Sequence, residues 1–436
     1  MAPSFAPEAA ASLRTYIDSK TSGDKQSFPG AIIHIVDSKN NTVFSHASGG
    51  SIPLSPQTLF TTHSLTKIIG AVIFLQLVEK NLVSLDDATV IEKLLPELAA
   101  KKILTGYKEG ANSEKEWIFE DRTGDITPRM LMSHTYGGGH SYFNPLLHEY
   151  LKDGWETRNE ANDKWKTLLD SPLLWQPGTH TNYGQGFDWL AVLIERLTKR
   201  ALPDVLQENL FAPLGLTSTG FEDQYGVAMI SKPEHKGRFW PRSMKTEEGG
   251  FVPIDPEVLQ QKEWPTRYPN GEYHVFPLGT GLVSTAEDLV RIFSILLPQN
   301  AGVDPVSGTR ILAPSSVREI TSPQLPGPLR NACRNVPSAV PSAFYPADLE
   351  AAHVDPEGSF GLGCGVQGAE RVLKSGKKGR SKGSFYWYGA ANTEFWVDGE
   401  RGLVVLCEGN YFPWNEGEWV DFVAGVEGRV YEGLGA

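Results

Sequence analysis

The chain of 436 residues is long enough for one large core or for two lobes around a cleft. Its hydrophobic content of 40% and charged content of 21% are those of an ordinary globular protein and exclude the disordered and fibrous classes. The net charge of −12 argues against nucleic acid or an anionic membrane as a partner.

The N-terminal part of the chain predicts a helix, a β-hairpin and then a buried helix. Residues 7–21 form the first predicted helix, and residues 30–36 and 42–46 predict two strands joined by a polar turn. Apolar residues occupy several faces of the stretch from 68 to 78, which is typical of a fully buried helix.

The centre of the chain, from about 85 to 270, predicts loops and helical segments, of which residues 189–197 are the clearest. A strand is predicted next, over residues 279–284. It leads into a helix over 289–297, and residues 284–287 have the spacing of a capping box.

The C-terminal part predicts strands over 360–366, 394–397 and 402–407 and a short last helix over 419–426. Before these strands, residues 321–356 are rich in proline and predict a long irregular loop. A loop of this length is either a lid over a cleft or a flexible surface excursion, and the sequence favours neither.

Strands near both ends of the chain and helices in its middle predict a single α/β (α+β) domain over residues 7–430. We expect one discontinuous α/β lobe, formed by about 7–84 and 271–430. Residues from about 85 to 270 then form an inserted, mostly helical lobe, and a cleft lies between the two lobes.

Targeting signals and metal-binding patterns are not evident. The N-terminus lacks the basic and apolar regions of a signal peptide, and the longest apolar run is about half a membrane span, so we expect a cytoplasmic protein. Three cysteines, Cys333, Cys364 and Cys407, fit neither a disulfide framework nor a zinc site. The ten histidines have no metal-ligand spacing, and neither a metal nor another cofactor is expected.

Ser-x-x-Lys spacing occurs three times, beginning at Ser22, Ser64 and Ser375, so context has to separate them. Only Ser64 opens an apolar helix, where the spacing places its hydroxyl and the Lys67 amine on one face. The free N–H groups of a helix start can hold an oxyanion, and burial can lower the pKa of a lysine enough to activate a serine. Spacing and context alone leave catalysis and a plain helix cap with a solvated lysine equally open.

Two glycine patterns are weaker candidates. Residues 379–383 match the G-x-S-x-G nucleophile elbow around Ser381, but they lie in a basic, glycine-rich turn rather than between a strand and a helix. Residues 363–368 match the G-x-G-x-x-G dinucleotide fingerprint, but the segment that follows is too short and polar for the required helix. We therefore expect structural turns or bulges at both places.

Two further side chains could serve Ser64. Tyr183 precedes the helix over 189–197 and could relay a proton to or from Lys67, although the residues alone favour a tyrosine that caps a loop. His63 lies off the helical face that carries Lys67, which predicts a packing or loop-anchoring role rather than a general base.

Five blocks together carry a family resemblance. They are F-T-T-H-S-L-T-K at 60–67, G-D-I-T-P-R-M-L-M-S-H-T-Y-G at 124–137, P-G-T-H-T-N-Y at 177–183, G-T-G-L-V-S-T-A at 279–286, and W-Y-G ahead of E-F-W-V-D within 387–398. In this order they resemble the serine β-lactamase-like superfamily of class C β-lactamases, D-alanyl carboxypeptidases, family VIII esterases and fungal lovastatin-type acyltransferases. The resemblance implies a β-lactamase/transpeptidase-like fold with an antiparallel sheet flanked by helices.

The resemblance also implies roles for residues in the matching blocks. Ser64 would be acylated, and Lys67 and Tyr183 would share the duties of general base and general acid. The oxyanion hole would consist of the backbone N–H groups of Ser64 and Ala390. Which of Lys67 and Tyr183 takes the first proton is left open.

Two departures from the β-lactamase pattern narrow the substrate class. Gln185 stands where β-lactamases have asparagine, and Trp387-Tyr388-Gly389 replaces Lys-Thr-Gly, whose lysine helps to bind the substrate carboxylate. The replacement is similar to the esterase and acyltransferase branches. An aromatic wall without that cation favours neutral, apolar acyl groups or alcohols over penicillins and D-Ala-D-Ala peptides.

Residues 141–150 and 411–415 look most like the lovastatin-type acyltransferases, which implies a transesterase of secondary metabolism. Its partners would be a small-molecule ester or thioester donor, with an acyl carrier domain or coenzyme A as candidate carriers, and an alcohol or water acceptor. A hydrolytic family VIII-type carboxylesterase is the first alternative, followed by a β-lactamase or D-aminopeptidase and then a non-catalytic binding protein. The expected substrate-binding residues are His63, Tyr142, Gln185, Trp387, Tyr388, Gly389 and Trp414.

Overall fold

The computed structural model describes residues 3–23, 26–110, 114–152, 164–221, 223–224, 227–228, 232–254, 275–329, 335–348, 355 and 357–434. Its α-helices are Pro7–Thr21, Thr66–Glu79, Thr89–Leu94, Pro96–Ala99, Pro128–Met132, Pro145–Leu151, Lys164–Asp170, Gly186–Thr198, Leu202–Leu206, Ala286–Ser294, Pro314–Thr321 and Gly417–Gly433.

The strands are β1 Gly30–Asp37, β2 Thr42–Gly49, β3 Phe60–Thr61, β4 Ile103–Glu109, β5 Lys115–Glu120, β6 Gly220–Phe221, β7 Asp223–Gln224, β8 Val227–Ala228, β9 Ser243–Lys245, β10 Phe251–Pro253, β11 Leu282–Ser284, β12 Asn335–Val336, β13 Ala347–Asp348, β14 Ser359–Phe360, β15 Gly365–Val366, β16 Phe385–Gly389, β17 Thr393–Asp398, β18 Leu403–Glu408 and β19 Tyr411–Phe412.

One seven-stranded sheet joins the two ends of the chain. Its order is β14-β15-β16-β17-β18-β1-β2, and each neighbouring pair is antiparallel. Every residue of β1 is buried, because this strand lies between β2 and β18 and both faces of the sheet are covered. Strands from residues 30–49 and 359–408 therefore form the frame to which the rest of the chain attaches.

The sheet separates two hydrophobic cores, and alternate residues of β1 contribute to each. Ile32 packs into the larger core with the helix Thr66–Glu79, whereas Ile33 packs into the smaller one with the terminal helices Pro7–Thr21 and Gly417–Gly433. This division follows from the two-residue period of a strand, which sends successive side chains to opposite faces.

The helix Thr66–Glu79 is buried on all sides over its first twelve residues. The apolar stretch from 68 to 78 had predicted this, since a helix that is apolar all round has no face to present to water. A 3₁₀ turn, His63–Leu65, precedes the helix, so Ser64 lies in that turn rather than in the α-helix itself.

The region from about 85 to 270 contains seven of the helices in the part of the chain that the structure describes, but also the antiparallel hairpin of β4 and β5. Residues 255–270 lie outside the described residues. The division into two lobes stays a prediction.

The proline-rich segment 321–356 is described only in part, since residues 330–334, 349–354 and 356 lie outside the described residues. Within it, β12 and β13 pair as a short antiparallel ladder, and a 3₁₀ turn spans Gly327–Leu329. Among the described residues, no helix combines the length and the apolar character needed to cross a membrane.

Candidate active site

The turn that carries Ser64 is held in an unusual backbone conformation. His63 has a φ of 48°, in the left-handed region that side-chain-bearing residues seldom occupy, and Ser64 follows it at the centre of the 3₁₀ turn. Ser64 is 7% exposed and lines a cavity. The residue with left-handed φ thus lies immediately before the serine, and the serine hydroxyl lies at the start of a buried helix.

Lys67 lies one turn further on and is fully buried. Its Nζ donates to Ser64 Oγ at 3.0 Å and to the Gly279 carbonyl at 2.7 Å, and it lies 4.7 Å from the centre of the Tyr183 ring. The amine is therefore held by fixed partners within reach of the serine proton, as general acid–base catalysis requires.

Tyr183 comes from the loop before the helix Gly186–Thr198. Its hydroxyl donates to Ser64 Oγ at 2.6 Å and accepts from Trp387 Nε1 at 3.3 Å. The structure thus brings together Ser64, Lys67 and Tyr183, the three residues that the sequence selected. Because both side chains bond the same oxygen, either could take the serine proton.

His134 supports the tyrosine from behind, and the sequence had given it no role. Its ring lies 4.6 Å from that of Tyr183 and is stacked at 17° on Trp387, and its backbone carbonyl accepts from Asn182 N–H at 2.9 Å. Burial, together with the nearby Lys67 charge, holds the pKa of His134 well below its usual value. The imidazole is therefore neutral and serves as part of the wall behind Tyr183.

A cavity opens in front of Ser64. Its walls are mostly aromatic, and among the predicted site residues they include Ser64, Tyr142, Tyr183, Trp387, Tyr388, Gly389, Ala390 and Trp414. The sequence had not singled out Phe143, Phe344 and Phe360, which also line it. These rings come from separate parts of the chain, and no local spacing signals that they meet.

Two predicted substrate-binding residues lie elsewhere. His63 and Gln185 are buried and are not among the described residues that line the cavity. His63 packs edge-on against Phe412 with ring centres 5.8 Å apart, and Gln185 is the N-cap residue of the helix Gly186–Thr198. Substrate binding by these two residues stays a prediction.

Gly389 allows β16 to approach the nucleophile turn closely. A Cβ atom at this position would lie 3.1 Å from the Thr62 carbonyl oxygen and 1.8 Å from Thr393 Oγ1. A side chain here would have to displace the Thr393 hydroxyl and would press on the Thr62 carbonyl, which precedes the turn that carries Ser64. The glycine of the Trp-Tyr-Gly motif therefore suits the close approach of β16 to this turn, next to Ala390, which lines the same cavity as Ser64.

The competing glycine patterns have structural roles. Ser381 lies in a turn ahead of β16, and its backbone N–H donates to Asp398 Oδ2 at 2.9 Å. Gly363 has a φ of 79° and lies against the Lys67 carbonyl, and β15, not a helix, follows it. Across the described ranges, no cluster of three His, Cys, Asp or Glu side chains is placed to hold a metal ion.

Comparison with known proteins places this site in a family. The β-lactamase family model matches residues 18–424. The chain belongs to the β-lactamase family. The predicted family and fold are thus confirmed, although the lysine of the β-lactamase Lys-Thr-Gly motif is replaced by Trp387.

Several of the relatives are fungal enzymes. Monacolin J acid methylbutanoyltransferase of Aspergillus terreus is 28% identical over 92% of this chain and 91% of its own length. Lovastatin esterase of Penicillium rubens is 32% identical, but over only 44% of this chain and 48% of its own. The structure of unliganded simvastatin synthase (LovD) from Aspergillus terreus is 25% identical, with a TM-score of 0.76 over 98% of both chains.

Asp188 is hydrogen-bonded to Gly279, the residue whose carbonyl accepts a hydrogen bond from Lys67. This fully buried carboxylate accepts the Gly279 N–H at 2.9 Å, and the Gly279 carbonyl accepts from Lys67 at 2.7 Å. Its second oxygen lies 3.4 Å from Lys164 Nζ. Asp188 therefore holds Gly279 in the position from which its carbonyl binds the Lys67 amine.

We expect Asp188→Ala to lower the rate of Ser64 acylation by about tenfold or more. Loss of the acceptor leaves the Gly279 N–H buried and unpaired, which costs ~1–3 kcal/mol of free energy. Asp188→Asn keeps an acceptor oxygen and should stay within about threefold of the parent, a loss under ~0.7 kcal/mol. Stopped-flow ester cleavage and thermal unfolding should be measured on both. An alanine variant that is less stable but equally fast would contradict this positioning role.

Proposed function

We propose that the protein is a serine acyltransferase that works through an acyl-Ser64 intermediate on ester or thioester substrates. The observation that carries this proposal is the bonding of both Lys67 and Tyr183 to Ser64 Oγ at the floor of an aromatic cavity. A serine needs a neighbouring base to attack a carbonyl, and this site holds two candidates within hydrogen-bond distance.

In the acylation step, Ser64 Oγ forms a bond to the acyl carbon, and its proton passes to the Lys67–Tyr183 pair. The backbone N–H groups of Ser64 and Ala390 would hold the resulting oxyanion. Collapse of the tetrahedral intermediate breaks the bond to the leaving alkoxide or thiolate, which takes up the proton. In deacylation, an alcohol or water repeats these steps in reverse.

The acyl group that is transferred would be neutral and apolar. Tyr142, Trp387, Tyr388 and Trp414 offer aromatic surface, and at Trp387 the site lacks the cation with which β-lactamases bind a carboxylate. The names of the relatives, a methylbutanoyltransferase and a lovastatin esterase, support transfer of a small acyl group and an ester as substrate. We extend this to a role in secondary metabolism in the cytoplasm, with an acyl carrier domain or a coenzyme A thioester as donor.

A direct comparison of substrates tests this choice. We expect the enzyme to cleave p-nitrophenyl esters of short apolar acids and to show negligible turnover of a chromogenic cephalosporin. The physical reason is that the lactam carboxylate would face aromatic rings instead of an ammonium, and a desolvated, unpaired charge is costly. Parallel kcat/KM measurements check this. Fast lactam turnover with negligible ester cleavage would favour a β-lactamase or D-aminopeptidase.

The second candidate is a hydrolytic carboxylesterase, which the partial similarity to lovastatin esterase favours. Both candidates share the acyl-enzyme and differ only in the acceptor. They are separated by the ratio of ester formed to acid released when an alcohol is present.

A further inference from the structure

A third, small hydrophobic cluster lies at the cavity, apart from the two main cores. Its buried members are Tyr142, Phe143, Ala343, Phe344, Phe412 and the neighbouring Ala391. They come from four stretches of chain, at residues 142–143, 343–344, 391 and 412. One of these stretches lies within residues 336–346, which we call the roof segment.

Phe344 attaches the roof segment to the cavity wall. Its ring stacks on Tyr142 with centres 4.6 Å apart and planes at 12°, and it meets Phe143 edge-on at 5.2 Å. The side chain is 1% exposed, although the segment that carries it has no long helix or strand. Aromatic pairs in such arrangements contribute beyond their buried area.

Backbone hydrogen bonds join the same parts of the chain. Ala339 N–H donates to the Tyr142 carbonyl at 2.9 Å, and Trp414 N–H donates to the Ala343 carbonyl at 2.9 Å. Tyr345 N–H in turn donates to the Trp414 carbonyl at 3.0 Å. Backbone hydrogen bonds thus hold the roof segment at Ala339 and on both sides of Phe344, at Ala343 and Tyr345.

The roof segment faces the reacting serine. Val336 and Phe344 line the same cavity as Ser64, whose exposed fraction is only 7%. The acyl-enzyme would therefore form under a cover of apolar side chains. Water would have to pass this cover to reach the acyl carbon, whereas an apolar alcohol could bind against it.

We propose that Phe344 is a specificity-determining residue that makes an alcohol, rather than water, the acceptor of the acyl group on Ser64. The inference rests on the proposed function. In either outcome, the acceptor oxygen forms the new bond to the acyl carbon and the bond to Ser64 Oγ breaks. The acceptor proton passes through the Lys67–Tyr183 pair to Ser64 Oγ, so the two routes differ only in which hydroxyl reaches the carbon.

The test compares Phe344→Ala with a matched control, Tyr345→Ala. Tyr345 is the next residue of the roof segment, but its side chain is 40% exposed and is not among the described residues that line the cavity. Both variants receive an apolar acyl thioester and an apolar secondary alcohol in excess. Ester formed and acid released are then quantified by chromatography, and acyl-Ser64 is quantified by intact-protein mass spectrometry.

For Phe344→Ala we expect the ratio of ester to acid to fall by about tenfold, the discrimination that loss of an apolar contact in a pocket can give. The rate of acyl-enzyme formation should change much less, and Tyr345→Ala should leave both quantities unchanged. If Phe344→Ala fails to fold, Phe344→Leu, which keeps apolar bulk but removes the stacked ring, should show a smaller fall in the same direction.

The outcomes separate this inference from the proposed function. An unchanged ratio in a folded Phe344 variant that still forms acyl-Ser64 would overturn the role of Phe344 and leave the acyltransferase intact. Absence of any acyl-enzyme in the parent protein would overturn the proposed function itself. An equal fall in Tyr345→Ala would show that general disturbance of the segment, not the stacked ring, sets the ratio.

Discussion

Ser64→Ala is expected to abolish acylation, with a loss of at least ~10⁴-fold in ester cleavage, because the variant has no atom that can form the covalent intermediate. A fluorophosphonate probe should label the parent protein on this residue and leave the variant unlabelled. Intact-protein mass spectrometry after exposure to candidate acyl thioesters should show the same difference and should also give the mass of the acyl group. The fold should be retained, since the Ser64 hydroxyl contributes to the site and not to the core.

The matched control is Ser381→Ala, which removes the other serine in a nucleophile-like pattern. Its hydroxyl lies in a turn ahead of β16, and the contact to Asp398 that orders this turn uses the backbone N–H, which alanine keeps. We expect labelling and turnover within about twofold of the parent, a difference under ~0.5 kcal/mol. Labelling that survives in Ser64→Ala and disappears in Ser381→Ala would make Ser381 the nucleophile.

The two serines show how far the sequence alone could reach. Ser64 and Lys67 are three residues apart at the start of an apolar helix, so local geometry already placed them on one face. Tyr183 is separated from Ser64 by 119 positions, and its 2.6 Å hydrogen bond to the serine depends on the whole fold. Only the ordered family blocks, not the spacing, could assign it.

A local pattern also placed the start of one helix a residue too early. The capping box predicted Ser284 as the N-cap with Glu287, but Thr285 is the N-cap and accepts the Asp288 N–H at 3.2 Å. Ser284 ends β11 instead, and its hydroxyl bonds Thr219 at 2.6 Å. Thr285 and Asp288 have the same spacing one residue later, and Ser284 still belongs to β11, so the helix begins after Thr285.

Ion pairs between residues far apart in the sequence could not be predicted from local patterns either. In the basic turn before β16, Arg380 is buried and donates two side-chain hydrogen bonds to Glu427 of the last helix. Burial alone would raise the pKa of Glu427, but Arg371 and Arg380 hold it at about 2. Glu427 is 47 positions away from Arg380, and no local sequence pattern around Arg380 predicts the pair.

The predicted strand over 360–366 is in fact two short strands, β14 and β15, joined by a turn at Gly363. The positive φ of that glycine interrupts the strand, because extended backbone requires a negative φ. A Cβ atom at this position would also lie 3.0 Å from the Lys67 carbonyl oxygen. Gly363 therefore lets the edge of the sheet lie against the helix Thr66–Glu79.

Lys67→Ala and Tyr183→Phe should each lower the rate of acylation by ~10²–10⁴-fold, the usual contribution of a positioned acid or base. The lysine change removes the 3.0 Å contact to Ser64 Oγ, and the tyrosine change removes the 2.6 Å contact while keeping the ring against His134 and Trp387. Tyr183→Phe is therefore the cleaner variant. Single-turnover kinetics with an activated ester isolates the acylation step.

The paired variants also bear on the order of proton transfer. If Tyr183 takes the serine proton, Tyr183→Phe should slow acylation even with a good leaving group, which needs no general acid. If Lys67 takes it, the same variant should mainly slow reactions with poor leaving groups, since only those require the tyrosine proton. A fall of less than about tenfold with every ester, under ~1.4 kcal/mol, would remove Tyr183 from the catalytic set. The 3.3 Å bond from Trp387 would then be a contact of the aromatic wall alone.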